Sequence, residues 1–121
     1  MEVKVLVVED EALPAMILSL NLKNAQYVVV GPVATGEEAI IIAREKHPHI
    51  IVMDINLQGK INGIEAASEI SDFLDTNIIF VTGYDEKELK ESAMKLNPTD
   101  YLIKPVEFHQ IISIIKKLDL E

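Results

Sequence analysis

A chain of 121 residues that is 49% apolar and 26% charged has the composition of a globular domain, which excludes collagen-like, coiled-coil and disordered classes. Eleven Lys and Arg against twenty Asp and Glu leave a net charge of -9, which repels nucleic-acid backbones and anionic membrane surfaces, so neither is expected as a direct partner. With no cysteine there is no disulfide, thiolate metal site or cysteine nucleophile, and a reducing cytoplasm is the expected location. The start, Met1 to Val5, lacks the pattern of a secretory signal, and no apolar run approaches the length of a bilayer span. No repeat or linker interrupts the chain, so one domain over residues 1–121 is expected.

In chain order, a first strand over Lys4 to Val8 is followed by a helix over Glu11 to Asn24. Its Leu13, Met16, Ile17 and Leu20 recur at helical spacing and are expected to face the sheet, with Pro14 near the start where a missing N–H is tolerated. A second strand, Tyr27 to Gly31, stops at Gly31-Pro32. The second helix opens on a capping box, Thr35 with Glu38 three residues on, and turns Ala39, Ile40 and Ala43 inward and Ile41 outward. Ile50 to Met53 forms the third strand, and Gly63 to Leu74 the helix with the weakest periodicity. Ile78 to Val81 forms the fourth strand, before a helix over Asp85 to Leu96 that buries Leu89, Ala93 and Leu96 and turns Met94 outward. A fifth strand over Asp100 to Leu102 precedes a last helix, Glu107 to Leu118, with Phe108, Ile111, Ile112 and Ile115 on one face. Most of these strands are apolar on both faces, as in a parallel sheet covered by helices on both sides. The expected fold is therefore α/β, a doubly wound (βα)5 three-layer sandwich of flavodoxin-like type, with a five-stranded parallel sheet of order 2-1-3-4-5.

Open sheets of this kind bind ligands outside the carboxyl ends of their strands, and there the sequence concentrates its chemistry. Strand one ends in Glu9-Asp10, strand three in Asp54 and strand four in Thr82, and Lys104 follows strand five. With neighbouring strands about 4.8 Å apart, the three acids converge if strands one and three are adjacent. Clustered carboxylates repel unless a cation intervenes, and all-oxygen donors suit a hard divalent ion, Mg²⁺ or alternatively Mn²⁺. A carboxylate beside such an ion can attack phosphorus and form an acyl phosphate. The Thr82 hydroxyl and the flexible Lys104 ammonium can each reach a phosphoryl oxygen.

Glu9-Asp10, Asp54, Thr82 and Lys104-Pro105, in that order and each at a strand end, resemble the receiver domains of two-component response regulators, and the resemblance covers the whole chain. It implies that Glu9, Asp10 and Asp54 bind Mg²⁺ together with the backbone carbonyl of Asn56. It further implies that Asp54 accepts a phosphoryl group from a sensor histidine kinase, that Thr82 and Lys104 complete the site, and that the Lys104–Pro105 bond is cis. Tyr101, three residues before the lysine, matches the aromatic that switches with Thr82. The implied molecule is a cytoplasmic switch rather than an enzyme, with only self-directed phosphotransfer and slow autodephosphorylation. The loop after Asp54 departs from the commonest pattern, with Gln58 in place of a frequent Pro and Gly63 one residue later than usual. The stretch Gly63-Ile64-Glu65-Ala66-Ala67 is similar to receivers joined to sensor or kinase modules.

On the last helix Ile114 and Leu118 widen the apolar stripe beyond one face, and Met94 points outward on the helix before it. A second copy or an output partner is therefore expected to dock on the face of helix four, strand five and helix five, with Ile41 on helix two marking the alternative. Three rival functions use the same residues. A metal-dependent phosphohydrolase could activate water on these acids, but the net negative charge and the lack of a pocket-forming insertion oppose it. A nucleotide-binding protein of the same fold would need a phosphate-receiving loop where Glu9-Asp10-Glu11 stands. A degenerate receiver acting only as a scaffold would lack one of the reactive residues, and none is missing. His47-Pro48-His49 lies in a loop at the far end of the sheet and His109 on the surface of the last helix, so neither is read as a metal site.

Overall fold

Runs of Val and Ile become strands and amphipathic segments become helices in the computed structural model, which describes residues 2–84 and 86–120. The elements are β1 (Lys4–Val8), α1 (Ala12–Asn24), β2 (Val28–Val33), α2 (Gly36–Lys46), β3 (Ile50–Asp54), α3 (Gly63–Ser71), β4 (Asn77–Thr82), α4 (Lys87–Met94), β5 (Asp100–Ile103) and α5 (Phe108–Lys117). All pairings are parallel and the strand order is β2-β1-β3-β4-β5. The fold is the expected flavodoxin-like α/β sandwich.

Side chains alternate across each strand, so the sheet separates two cores. Leu6, Val8, Ile51, Met53, Ile78 and Phe80 pack under α2, α3 and α4 with Ala39, Ala43, Ala66, Ala67, Ile70 and Ala93. Val5, Val7, Ile50, Val52, Ile79 and Val81 pack on the other side against Leu22, Ile111 and Ile115 of α1 and α5.

Helix α1 buries the opposite stripe from the one its periodicity suggests. Leu13, Met16, Ile17 and Leu20 are all more than half exposed, while Ala15, Ser19 and Leu22 are buried with Leu18 at their margin. Both stripes have the i, i+3, i+4, i+7 spacing, so periodicity alone cannot choose between them. Size does: Ala15 and Ser19 let the helix lie close to the sheet. The Ser19 hydroxyl costs little there because it donates to the Ala15 carbonyl at 2.8 Å.

Other departures are local. Strand β2 continues through a cis Gly31–Pro32 bond to Val33, whose carbonyl accepts from the Glu9 N–H at 2.9 Å. It is an edge strand, where a proline removes no needed ladder bond. Helix α3 ends at Ser71 rather than Leu74. The expected start of the fourth helix, Asp85, lies outside the described residues, and α4 runs from Lys87 to Met94 with Ala93 buried and Leu89 and Leu96 half-buried.

Candidate functional site

Parallel strands deliver their last residues to one edge of the sheet, and β1 and β3, as neighbours, bring their acids together. One carboxylate oxygen from each of Glu9, Asp10 and Asp54 lies within 4.8 Å of the others. Lys104, beyond β5, extends its ammonium to 3.0 Å from both Glu9 Oε1 and Asp54 Oδ2. Its backbone is fixed by an N–H donated to the Thr82 carbonyl at 2.8 Å, and the Lys104–Pro105 bond is cis. The other oxygen of Asp54, Oδ1, accepts the Asn56 backbone N–H at 3.2 Å. Asp54 is 5% exposed and Thr82 is fully buried.

The charges do not balance. Burial disfavours the Lys104 ammonium, but the hydrogen bonds and charges of Asp54 and Glu9 outweigh it and raise its pKa above the ordinary value. Asp10 has no such partner. Its pKa is raised, first by burial and then by the hydrogen bond and charge of Glu9, with Lys104 only partly opposing. Three carboxylates thus share one ammonium, and the residual negative charge has all-oxygen donors around it, a donor set that fits Mg²⁺ or Mn²⁺. Glu9, Asp10 and Asp54 are the side chains that would hold such an ion.

Thr82 is tied to the loop as well as to its strand. Its Oγ1 accepts from the Tyr84 backbone N–H at 3.2 Å and, at 3.5 Å, from the Asn56 side-chain amide. The sequence pointed to Asn56 only through its carbonyl; a short polar side chain two residues past a strand end was the available signal for this second contact. Two residues back on the same face, Phe80 meets Tyr101 of β5 with ring centroids 6.4 Å apart. Tyr101 is half-buried, with Lys90 of α4 5.9 Å from its ring. A Cβ at Gly83 would touch nothing, and Tyr84 is exposed, so the approach to Asp54 is open. A cleft of about 710 Å³ runs from Glu9, Asp54 and Lys104 down between α1 and α5, past Pro14, Ile17, Val106 and Phe108. It forms without any insertion, from the gap between two helices.

The histidines lie elsewhere. His49 Nδ1 accepts the Lys4 backbone N–H at 2.9 Å, His47 caps α2 in a left-handed conformation, and His109 is exposed beside Glu107. Among the described residues no helix is long and apolar enough to cross a membrane.

Residues 5–116 match the response regulator receiver domain. The chain is 34% identical over 113 residues to the transcriptional regulatory protein PdtaR of Mycobacterium tuberculosis, covering 93% of this chain and 55% of that protein. It is 33% identical over 118 residues to the transcriptional regulatory protein YdfI of Bacillus subtilis, again covering 93% of this chain and 55% of that protein. The chain therefore spans about half the length of the curated relatives it matches. The signal receiver domain of a modulated diguanylate cyclase from Desulfovibrio desulfuricans G20 superposes with a TM-score of 0.90 at 34% identity, covering 97% of this chain and 93% of that one. A CheY-like receiver domain protein from Methanospirillum hungatei JF-1 shares the fold with a TM-score of 0.92 at 24% identity, covering 98% and 95%.

Proposed function

Because the chain belongs to the response regulator receiver domain family, a family of two-component signalling switches, we propose that Asp54 is its phosphoacceptor and that a sensor histidine kinase supplies the phosphoryl group in the cytoplasm. The observation that carries this reading is the Lys104 ammonium 3.0 Å from a buried Asp54 carboxylate inside a three-acid cluster. An Asp54 oxygen attacks phosphorus, the phosphorus–nitrogen bond of the phosphohistidine breaks, and the imidazole leaves, so that the product is an aspartyl phosphate. Lys104, already poised between Glu9 and Asp54, transfers its hydrogen bond to a phosphoryl oxygen. Thr82 donates its hydroxyl proton to another, a charged acceptor, while its Oγ1 still faces the Asn56 amide and the Tyr84 N–H as an acceptor. A divalent ion, held by Glu9, Asp10, Asp54 and the Asn56 carbonyl, would neutralise charge building up on the transferred group. Self-catalysed hydrolysis of the aspartyl phosphate through the same mouth resets the switch.

The kinase has to bring its phosphohistidine to that mouth, and the exposed stripe Leu13, Met16, Ile17 and Leu20 begins beside it. Contiguous exposed apolar residues next to a reactive centre fit a partner that presents an apolar helix face. Ile17 also lines the cleft leading to Asp54. Ile17→Glu is expected to slow phosphorylation by the kinase without slowing phosphorylation by a small donor.

Phosphoramidate, whose single phosphorus–nitrogen bond imitates that of phosphohistidine, provides the direct test. With Mg²⁺ the wild-type protein should gain one phosphoryl mass, labile to hydroxylamine, and Asp54→Asn should gain none while remaining folded. Incorporation at the wild-type rate by the Asn variant would reject Asp54. Steady turnover of small phosphoesters, in place of a single modification, would instead favour a phosphohydrolase.

A further inference from the structure

The loop between β3 and α3 carries Asn56 and has to hold it against the acid cluster. Its two ends are anchored internally: the Leu57 and Gly63 N–H groups both donate to the Ile55 carbonyl, at 3.1 and 2.8 Å. A Cβ at Gly63 would collide with the Asp54 carbonyl oxygen, so the far end of the loop is seated directly on the phosphoacceptor's backbone. The middle, Gln58 to Ile61, has no such internal support and leans on the start of α2. Gln58 forms a parallel bridge with Thr35, and Ile61 packs against Gly36. Between them Glu37 Oε2 accepts the Lys60 backbone N–H at 3.2 Å.

Gly59 makes that hydrogen bond reachable. Its φ of +103° is a conformation that side chains avoid, and a Cβ there would stand 3.0 and 3.1 Å from the two Glu37 oxygens. The Glu37 carboxyl is held below its ordinary pKa, chiefly by the Lys60 N–H, as expected of a carboxylate that caps a turn of backbone. Glu37 is not among the carboxylates that gather at the acid cluster.

We propose that Glu37 is a positioning residue for the metal side of the site: by clamping the Gly59–Lys60 turn onto α2 it holds the loop in the one arrangement that presents Asn56 to the ion. This rests on the metal-dependent reading above. A short hydrogen-bonded loop transmits a displacement of its tip to its root, and Asn56 sits at that root with its N–H on Asp54 and its amide on Thr82.

The test compares Glu37→Ala, which removes the acceptor, with Glu37→Gln, which keeps an oxygen for the Lys60 N–H and removes only the charge. In metal-free protein the Lys60 amide should exchange with solvent faster in the Ala variant and at nearly the wild-type rate in the Gln variant. Titrated with Mg²⁺ by calorimetry, the Ala variant should show a Kd raised roughly three- to tenfold, less than the ~10–100-fold that follows loss of a group touching a metal ligand directly. Phosphorylation by phosphoramidate should slow at low Mg²⁺ and recover at saturating Mg²⁺, and Glu37→Gln should restore the Mg²⁺ affinity. An unchanged Kd in Glu37→Ala, or unchanged exchange at Lys60, would overturn the proposal. Equal weakening in both variants would also overturn it, because the cause would then be lost negative charge rather than a lost clamp. Wild-type protein that bound no Mg²⁺ would reject the metal-dependent reading as a whole, a result distinct from failure of the Glu37 variants alone.

Discussion

Asp10 carries the electrostatic cost of the acid cluster, because Lys104 is committed to Glu9 and Asp54. A pKa raised in the folded state means that folding takes up a proton there. The associated stability is present below the ordinary carboxyl value and is lost as pH rises through the higher folded one. The metal-free protein is therefore expected to lose stability across the acid range above 3.8, the ordinary value for Asp. Asp10→Asn should remove that slope and stabilise the metal-free protein at neutral pH. Urea unfolding at several pH values without divalent ions checks both, and a less stable Asp10→Asn protein would count against the crowding. Carboxylate repulsion alone suggests that Asp54→Asn should give the same relief. The Lys104 ion pair opposes this, since a hydrogen bond between charged groups contributes about 1.5–3 kcal/mol and Asn would forfeit most of it. That Glu9, Asp10, Asp54 and Lys104 gather was legible because each is a charged side chain standing at the end of a strand. Glu37 was not, because nothing in a sequence shows which helix a loop will lean on.

At the scale of elements, α1 separates what periodicity can decide from what it cannot. The helix carries two stripes of the same spacing, and the choice between them depends on how closely Ala15 and Ser19 let it approach the sheet, which is a tertiary matter. Helix α5 was easier, since its apolar residues form one continuous arc with Ile111 and Ile115 at its buried centre. The inverted face has a measurable consequence. Leu22→Ala should cost roughly 2–5 kcal/mol, as for other fully buried leucines. Ile17→Glu, on the exposed stripe, should stay within about 0.5 kcal/mol of wild type. Equilibrium unfolding of the two variants tests the burial pattern, and the reverse ranking would restore the periodicity-based face. Helix α3, the weakest by periodicity, is fixed at its start by a reciprocal capping box, in which the Glu65 N–H donates to Asn62 Oδ1 at 2.9 Å and the Asn62 N–H to Glu65 Oε1 at 3.0 Å. Asn62→Ala should lower stability by about 0.5–2 kcal/mol, read from the same unfolding curves.

Among the described residues, large exposed apolar side chains fall on α1, at Ile41 of α2, at Tyr84 beyond β4, at Met94 of α4 and at Ile103 of β5. Ile114, which the sequence suggested would reach solvent, is half-buried and packs against the core beneath α5, so a charge there would disturb folding as well as docking. Met94→Glu and Ile103→Glu are the cleaner probes of an output face at the β5 edge. Association promoted by a phosphoryl mimic should be lost in both while phosphorylation is retained, as followed by sedimentation. Association that survived both and vanished in Ile41→Glu would place the output face on α2.

The alternation of side chains along the strands has one further consequence. Asp54 follows Val52 toward the layer of α1 and α5, whereas Thr82 follows Phe80 toward the layer of α2, α3 and α4. In the proposed mechanism the sheet acts as a partition, with the message written on one side and read on the other. Writer and reader then need not compete for the same ground, and a kinase docked on α1, as proposed, would leave Met94 of α4 and Ile103 of β5 free. Adding more kinase should drive the response to a plateau, without the decline at high dose that a shared surface would impose.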